Sequence, residues 1–185
     1  IKSLLVDTYD YEFAENLGRK LVAGGDTQSA DLIFPDTNIE IFEIEDSWYL
    51  VNRTKDSTVF VDDDLVHGGQ IIPLEGKTRI SVKSGSLLIN DIPLFFRLKR
   101  TDYSRRLFFA FEKGTVVKKI SENEADFRLD FSRNIIRLYR TGRKKLLIKI
   151  DHTDVQDFSF VNLADTVVID GSFTLPLREI LANES

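Results

Sequence analysis

The sequence predicts an all-β protein made of two β-sandwich domains in tandem. Three observations predict it. From Lys20 to Val82 the chain is a series of short runs (LVAGG, ADLIF, NIEIFEIE, SWYLVN, STVFVDDD, QIIPLEGKTRISV) in which Val, Ile, Phe, Tyr and Thr alternate with polar residues. Gly, Asp and Asn punctuate the runs, and no helical periodicity separates them, as expected of sandwiches and barrels. The pattern then restarts: Ala30-Asp31-Leu32 returns 95 residues later as Ala125-Asp126-Phe127.

The composition fits one large or two small soluble domains. Of 185 residues, 42% are apolar and 30% charged. No apolar run is long enough to span a bilayer, and the opening residues carry no signal-peptide pattern. With no Cys, disulfides, thiolate chemistry and Cys-ligated metals are excluded. A formal net charge of −5 argues against nucleic acid as the main partner.

In chain order, Ile1 to Val6 and Tyr11-Glu12-Phe13 read as an opening hairpin, and Gly18-Arg19 as the next turn. Gly24-Gly25-Asp26 reads as a tight turn in which glycine supplies positive φ; a phosphate-cradling loop would need a following helix N-terminus. Trp48, the single tryptophan, reads as a core anchor, with a surface hot spot as the alternative. Asp62-Asp63-Asp64 alternate faces on an extended chain, so they cannot converge on one cation and read as a hairpin tip. His67 and His152, the only histidines, fall in loops, too few for a His-rich zinc site and without support for a catalytic triad. Ser84-Gly85-Ser86 lacks the strand-to-helix setting of a nucleophile elbow. Leu87-Leu88-Ile89 is a further strand, Asn90-Asp91 a turn, and Ile92 to Leu98 another apolar run.

The basic run Arg97 to Arg106 interrupts the apolar pattern. It divides the chain into a first sandwich over 1–98, a linker over 99–106 and a second sandwich over 107–185. Its charges read as a solvated connection, with an anionic-lipid or phosphate contact as the alternative. Leu107 to Phe111 and Val116 to Ile120 then repeat an opening strand pair about a turn at Gly114. Ile135 to Tyr139, Thr141-Gly142 and Leu146 to Ile150 read as a hairpin. Asn162-Leu163-Ala164-Asp165 through Gly171 echoes Leu74-Glu75-Gly76-Lys77-Thr78-Arg79-Ile80, and Leu177 to Ala182 reads as a short terminal helix.

The order of these motifs resembles the forkhead-associated (FHA) family: Gly24-Gly25, Ala30 to Asp36, Ile39 to Glu45, Trp48-Tyr49-Leu50-Val51-Asn52, Val59 to Asp63, and Leu74 to Ile80. Two FHA-like copies at this length resemble the N-terminal region of the EssC/YukB-type ATPases of the Firmicutes type VII (ESX-like) secretion system, best over Lys119 to Asp126 and Ile135 to Leu138. That resemblance implies a fragment at the cytoplasmic face of the cell membrane, bound to a protein partner of the secretion machine. In the full-length, membrane-anchored, oligomeric protein, FtsK/SpoIIIE-type ATPase modules would follow.

FHA domains of the usual kind clamp phosphothreonine with an Arg on the first turn and a Ser-Arg-x-His segment. Here the first position is Gly25, or Glu122 in the second copy. The second is Asn38-Ile39-Glu40-Ile41-Phe42-Glu43, or Arg133 to Arg137. A carboxylate repels phosphate, so neither copy is expected to read phosphothreonine in that way. The expectation is a non-catalytic interaction module without metal or cofactor. If phosphopeptide binding survives, Arg53, Thr54 and Lys55 would carry it with Asn38 and Lys83. A carboxylate-pair glycosidase is the remaining class, and nothing in the sequence pairs its acids.

Overall fold

The computed structural model describes residues 19–54 and 58–184. The hairpin expected over Ile1 to Phe13 and the side chain of Lys55 lie outside them. The described chain is mainly β-strand, in small and largely antiparallel sheets, and it divides into two compact units, one ending at Thr101 and the other beginning at Asp102.

The first unit contains β1 (Lys20–Gly24), β2 (Leu32–Ile33), β3 (Asn38–Ile44), β4 (Ser47–Asn52), β5 (Val59–Val61), β6 (Asp64–Val66), β7 (Ile71–Pro73), β8 (Arg79–Val82), β9 (Gly85–Leu88) and helix α1 (Ile92–Arg100). One sheet runs β2-β1-β3-β4-β7 and the other β6-β5-β8-β9. Period-two alternation puts Leu21, Ile39, Ile41 and Leu50 of the first sheet and Val59, Val61 and Ile80 of the second at 1% exposure or less. Each such side chain stabilises the fold by roughly 1.5–3 kcal/mol. The reverse face of the five-stranded sheet is buried too, through Phe42, Tyr49 and Val51 with Ile44 and Ile71 beside them.

Ile92 to Leu98 is helical. Asp91-Ile92-Pro93 sets the start, because proline is tolerated in a first turn, and Ile92, Phe95 and Phe96 recur at helical spacing and are buried. The basic run begins as the last turn of this helix, where Arg97, Lys99 and Arg100 complement the C-terminal dipole. Of the stretch 99–106, only Thr101–Tyr103 lies between α1 and the next strand.

The second unit contains β10 (Ser104–Glu112), β11 (Thr115–Lys119), β12 (Phe127–Ser132), β13 (Ile135–Arg140), β14 (Ile148–Ile150), β15 (Thr153–Asp154), β16 (Phe158–Val161), β17 (Val167–Ile169), β18 (Phe173–Thr174) and helix α2 (Leu177–Glu184). Its sheets run β11-β10-β12-β13-β16 and β15-β14-β17-β18. Both sheet orders match those of the first unit, strand for strand. The β2–β1 pairing is parallel, however, whereas β11–β10 is antiparallel. β13 and β14 belong to different sheets, so the hairpin expected over 135–150 does not form. Alternation and a turn are a local signal, and partner choice is tertiary: β13 pairs with β12 and β16 instead.

Two hydrogen-bonded brackets recur in the units. Asp31 N–H donates to the Val22 carbonyl at 2.8 Å, and its carboxylate accepts from Val22 N–H at 2.8 Å. Likewise Asp126 N–H donates to the Phe109 carbonyl, and its carboxylate accepts from Phe111 N–H, both at 2.8 Å. The alanine before each aspartate is sealed in the core. Asp62, between β5 and β6, accepts from Arg79 N–H at 3.0 Å, and Asp151, between β14 and β15, accepts from Thr166 N–H at 2.8 Å. The recurring Ala-Asp-apolar motif is therefore a strand-tying device used twice.

Candidate functional site

Short loops of the first unit bring together most of the residues that the sequence marks as a possible partner site. The loop after β1 folds on Asp26, whose carboxylate accepts from Gln28 N–H at 3.0 Å and from the Ser29 hydroxyl at 3.0 Å. Those bonds, led by the one from Gln28, lower the Asp26 pKa. Gly24 and Gly25 are not in the left-handed region, so the glycine-driven turn expected here is an Asx turn instead. Gly24 has a different use. A Cβ there would stand 3.3 Å from the Thr37 carbonyl oxygen, a tight approach between the loops after β1 and β2.

The loop after β4 is tied to the start of β3. Arg53 N–H donates to the Asn38 carbonyl at 2.8 Å, and the Thr54 hydroxyl both accepts from Asn38 N–H at 3.0 Å and donates to the Asn38 carbonyl at 3.2 Å. Asn52 is fully buried beneath this latch. Its side-chain oxygen accepts from Thr54 N–H at 2.9 Å and its amide donates to the Val66 carbonyl at 2.8 Å. The β8–β9 turn holds exposed Lys83, and next to it the Ser84 hydroxyl donates to the Pro35 carbonyl at 3.1 Å. Asn38, Arg53, Thr54 and Lys83 thus sit on loops that are hydrogen-bonded together or to adjoining residues.

Their chemistry is not that of an open phosphate cradle. The Thr54 hydroxyl is engaged on both sides by Asn38. The Arg53 guanidinium lies 3.6 Å from the carboxylate of buried Glu40, which also faces Lys20 at 3.9 Å. Asp26 and exposed Asp36 add negative charge on the loops after β1 and β2. The expected Arg position is Gly25, whose added Cβ would come within 3.7 Å of Pro35 Cα.

The corresponding loop of the second unit is more basic and equally folded back. The Thr141 hydroxyl donates to the Ala125 carbonyl at 2.6 Å, and Thr141 N–H donates to the Asp126 carbonyl at 3.1 Å. Arg143 and Lys144 each approach the Asp126 carboxylate at 3.3 Å, while Arg143 donates to the Glu124 carbonyl and Lys144 to the Phe111 carbonyl. Sequence reasoning did not single out Arg143 and Lys144. The signal was the Arg-Lys-Lys run after a Thr-Gly turn, opposite the repeated aspartate.

The other marked residues are structural or isolated. Trp48 is half-buried rather than sealed in the core: it sits beside the β3–β4 turn, paired with Glu43, and lines a groove of about 470 Å³ with Leu74 and Ile89. His67 and His152 are exposed, the latter in a left-handed turn. Asp62 is bound to β8 as described, and among the described residues no three of His, Cys, Asp and Glu are grouped to hold a metal. Among those residues, too, no helix is long and apolar enough to cross a membrane.

Asp165 has its pKa raised to about 6. Burial is the main cause, and the neighbouring Asp151 carboxylate adds to it against the hydrogen bond from Asn162 N–H. No protein-family model, curated protein or solved structure matches the chain.

Proposed function

We propose that the chain is a non-catalytic protein-interaction module, a pair of degenerate FHA-like sandwiches without the usual phosphothreonine site. What carries the reading is the loop end of the first unit. The unit's small β-sheets are consistent with the resemblance, Gly25 stands where the resemblance expects the clamp arginine, and Arg53 is engaged by Glu40. The duplication of the first unit's strand order in the second unit supports the tandem arrangement. Loops on a rigid sheet scaffold can hold a protein partner without phosphate. On the strength of the sequence resemblance, the module belongs to the cytoplasmic N-terminal part of a membrane-anchored type VII secretion ATPase.

The test is capture of a partner by the immobilised chain from lysate of the source organism, with and without phosphatase treatment. Equal capture is expected, and capture abolished by phosphatase overturns the reading in favour of a phosphopeptide adaptor. An antibody blot separates the two levels of the proposal. A large membrane-bound product is expected, and a product near the chain's own size, absent from membranes, removes the secretion-ATPase assignment.

A further inference from the structure

Trp48 occupies a place that the fold fills differently in its two units. Each unit has a hairpin with a two-residue turn at the equivalent position. Ile44 pairs with Ser47 across Glu45-Asp46, and Ser132 pairs with Ile135 across Arg133-Asn134. One step along the strands, Glu43 faces Trp48 in the first unit and Phe131 faces Ile136 in the second. Phe131 and Ile136 are buried, whereas Glu43 and Trp48 are half-buried. The second unit thus builds the same hairpin from core side chains, so packing does not demand an indole and a carboxylate in the first.

Turn chemistry points the same way. Glu45 and Asp46 hold φ of 52° and 63°, in the left-handed region. Two-residue hairpin turns of this kind favour Asn-Gly, Asp-Gly or Gly-Gly, which reach positive φ at low cost. Here Glu45 gives up that advantage and brings a second charge. Among the described residues neither carboxylate forms an ion pair, and neither does that of Glu75.

The groove of about 470 Å³ beside this turn has an apolar floor and an acidic rim. Leu74 and Ile89, 1% and 4% exposed, line it with Trp48. Leu74 N–H donates to the Trp48 carbonyl at 2.9 Å, which holds the loop after β7 against β4. Asp46 and Glu75 line the groove with exposed side chains, and among the described residues Lys77 is the only cation in the lining. The Trp48 Nε1–H is aimed at the Glu43 carboxylate, 3.5 Å away. Among the described residues no aromatic ring or cation packs on the indole.

We propose that this groove takes the arginine side chain of a partner protein. The apolar stem would lie on Leu74 and Ile89, while the planar, weakly hydrated guanidinium would stack on the indole and face Asp46 and Glu75. An acidic ligand would be repelled by the same carboxylates. The site is at the opposite end of β3 from Asn38 and the Thr54 latch, so it is separate from the loop end of the unit. The proposal rests on the interaction-module reading only in taking a protein as the partner, and its test separates the two.

The probe is the peptide acetyl-Gly-Ser-Arg-Ser-Gly-amide, titrated into the 15N-labelled full chain. Trp48 is the only tryptophan, so the single indole N–H resonance reports on the groove. That resonance should shift together with the Ser47, Gly76 and Asn90 amides, and added salt should weaken the binding. A citrulline peptide keeps the shape without the charge and should bind about tenfold more weakly. Asp46→Asn with Glu75→Gln should weaken the arginine peptide by about fivefold or more. Asparagine suits the left-handed backbone at Asp46, so the variant keeps the turn. Asp36→Asn, beyond the other end of β3, should leave binding unchanged. No indole shift, equal binding of the citrulline peptide, or unchanged affinity in the double variant overturns the proposal. Self-association of the free chain that the double variant abolishes would give the groove to a second copy and overturn it too. If the arginine peptide fails while phosphatase-insensitive partner capture persists, the groove assignment falls and the interaction module stands.

Discussion

Replacing Asp126 by Ala tests whether the recurring Ala-Asp motif holds each unit together. Its side chain is fully buried, accepts from Phe111 N–H at 2.8 Å and meets Arg143 and Lys144 at 3.3 Å each. Breaking a buried ion pair costs about 3–5 kcal/mol when the partner charge is stranded. Here Arg143 and Lys144 are 47% and 43% exposed, so both can turn to water and little of that penalty applies. What remains is the orphaned Phe111 N–H, about 1–3 kcal/mol, and lost charge-assisted bonding, for a total near 3 kcal/mol.

Trp48 is the only tryptophan and lies in the first unit, so its fluorescence follows that unit alone. Amide resonances of Phe127–Ser132 follow the second. In urea, the second-unit midpoint should fall by roughly 2–3 M in Asp126→Ala, given a slope of about 1–1.5 kcal/mol per M for a small domain. Asp126→Asn keeps one acceptor oxygen and should lose about half as much. A loss below about 1 kcal/mol in the alanine variant would refute the reasoning, because Phe111 N–H would then have an equal partner elsewhere.

Two further predictions follow from the geometry. Asp165 holds its proton more tightly folded, with a pKa near 6, than unfolded, near the ordinary 3.8. The stability this contributes is complete below pH 3.8 and is lost as pH rises through 6. Asp165→Asn should therefore match the parent at pH 3.5 and be more stable at pH 8 by about 1–2 kcal/mol, a figure reduced for the group's partial exposure. Parallel pH–stability curves from thermal unfolding would contradict this. At the β1–β2 loop, Gly25→Ala should stabilise by about 0.5 kcal/mol by restricting the unfolded chain. Gly24→Ala should instead destabilise by about 1 kcal/mol, since the added methyl meets a backbone carbonyl. The Trp48 unfolding midpoint reads both, and the same sign for both variants would contradict the contact.

Much of the scaffold was legible because strands write their pattern locally. Ile39-Glu40-Ile41 and Phe127-Arg128-Leu129 alternate as strands do, and the Ala-Asp motif occupies equivalent places in both units. Ile92 to Leu98 was not read as helical because its apolar residues nearly fill the run. The distinction lay in Pro93 at the start and in the spacing of Ile92, Phe95 and Phe96. Gly24-Gly25 misled in the other direction: glycine permits positive φ without requiring it, and Asp26 makes the turn by hydrogen bonds. At the loop end, Arg53 and Thr54 were visible as residue types. Their engagement by Glu40 and Asn38 was not, since those partners lie 13 and 16 residues away in sequence.

The sequence by itself determined the β-rich class, most strand positions and the duplication, because side-chain alternation, turn residues and a repeated motif act over a few residues. Only the tertiary structure decided which strands share a sheet, which charges neutralise one another, and where the two ladders of β10 begin. Those outcomes depend on register and on distances between segments far apart in the chain. One arginine, Arg143, therefore becomes a clasp on Asp126 while another, Arg128, lies over the Tyr139 ring, depending on what the fold puts opposite it.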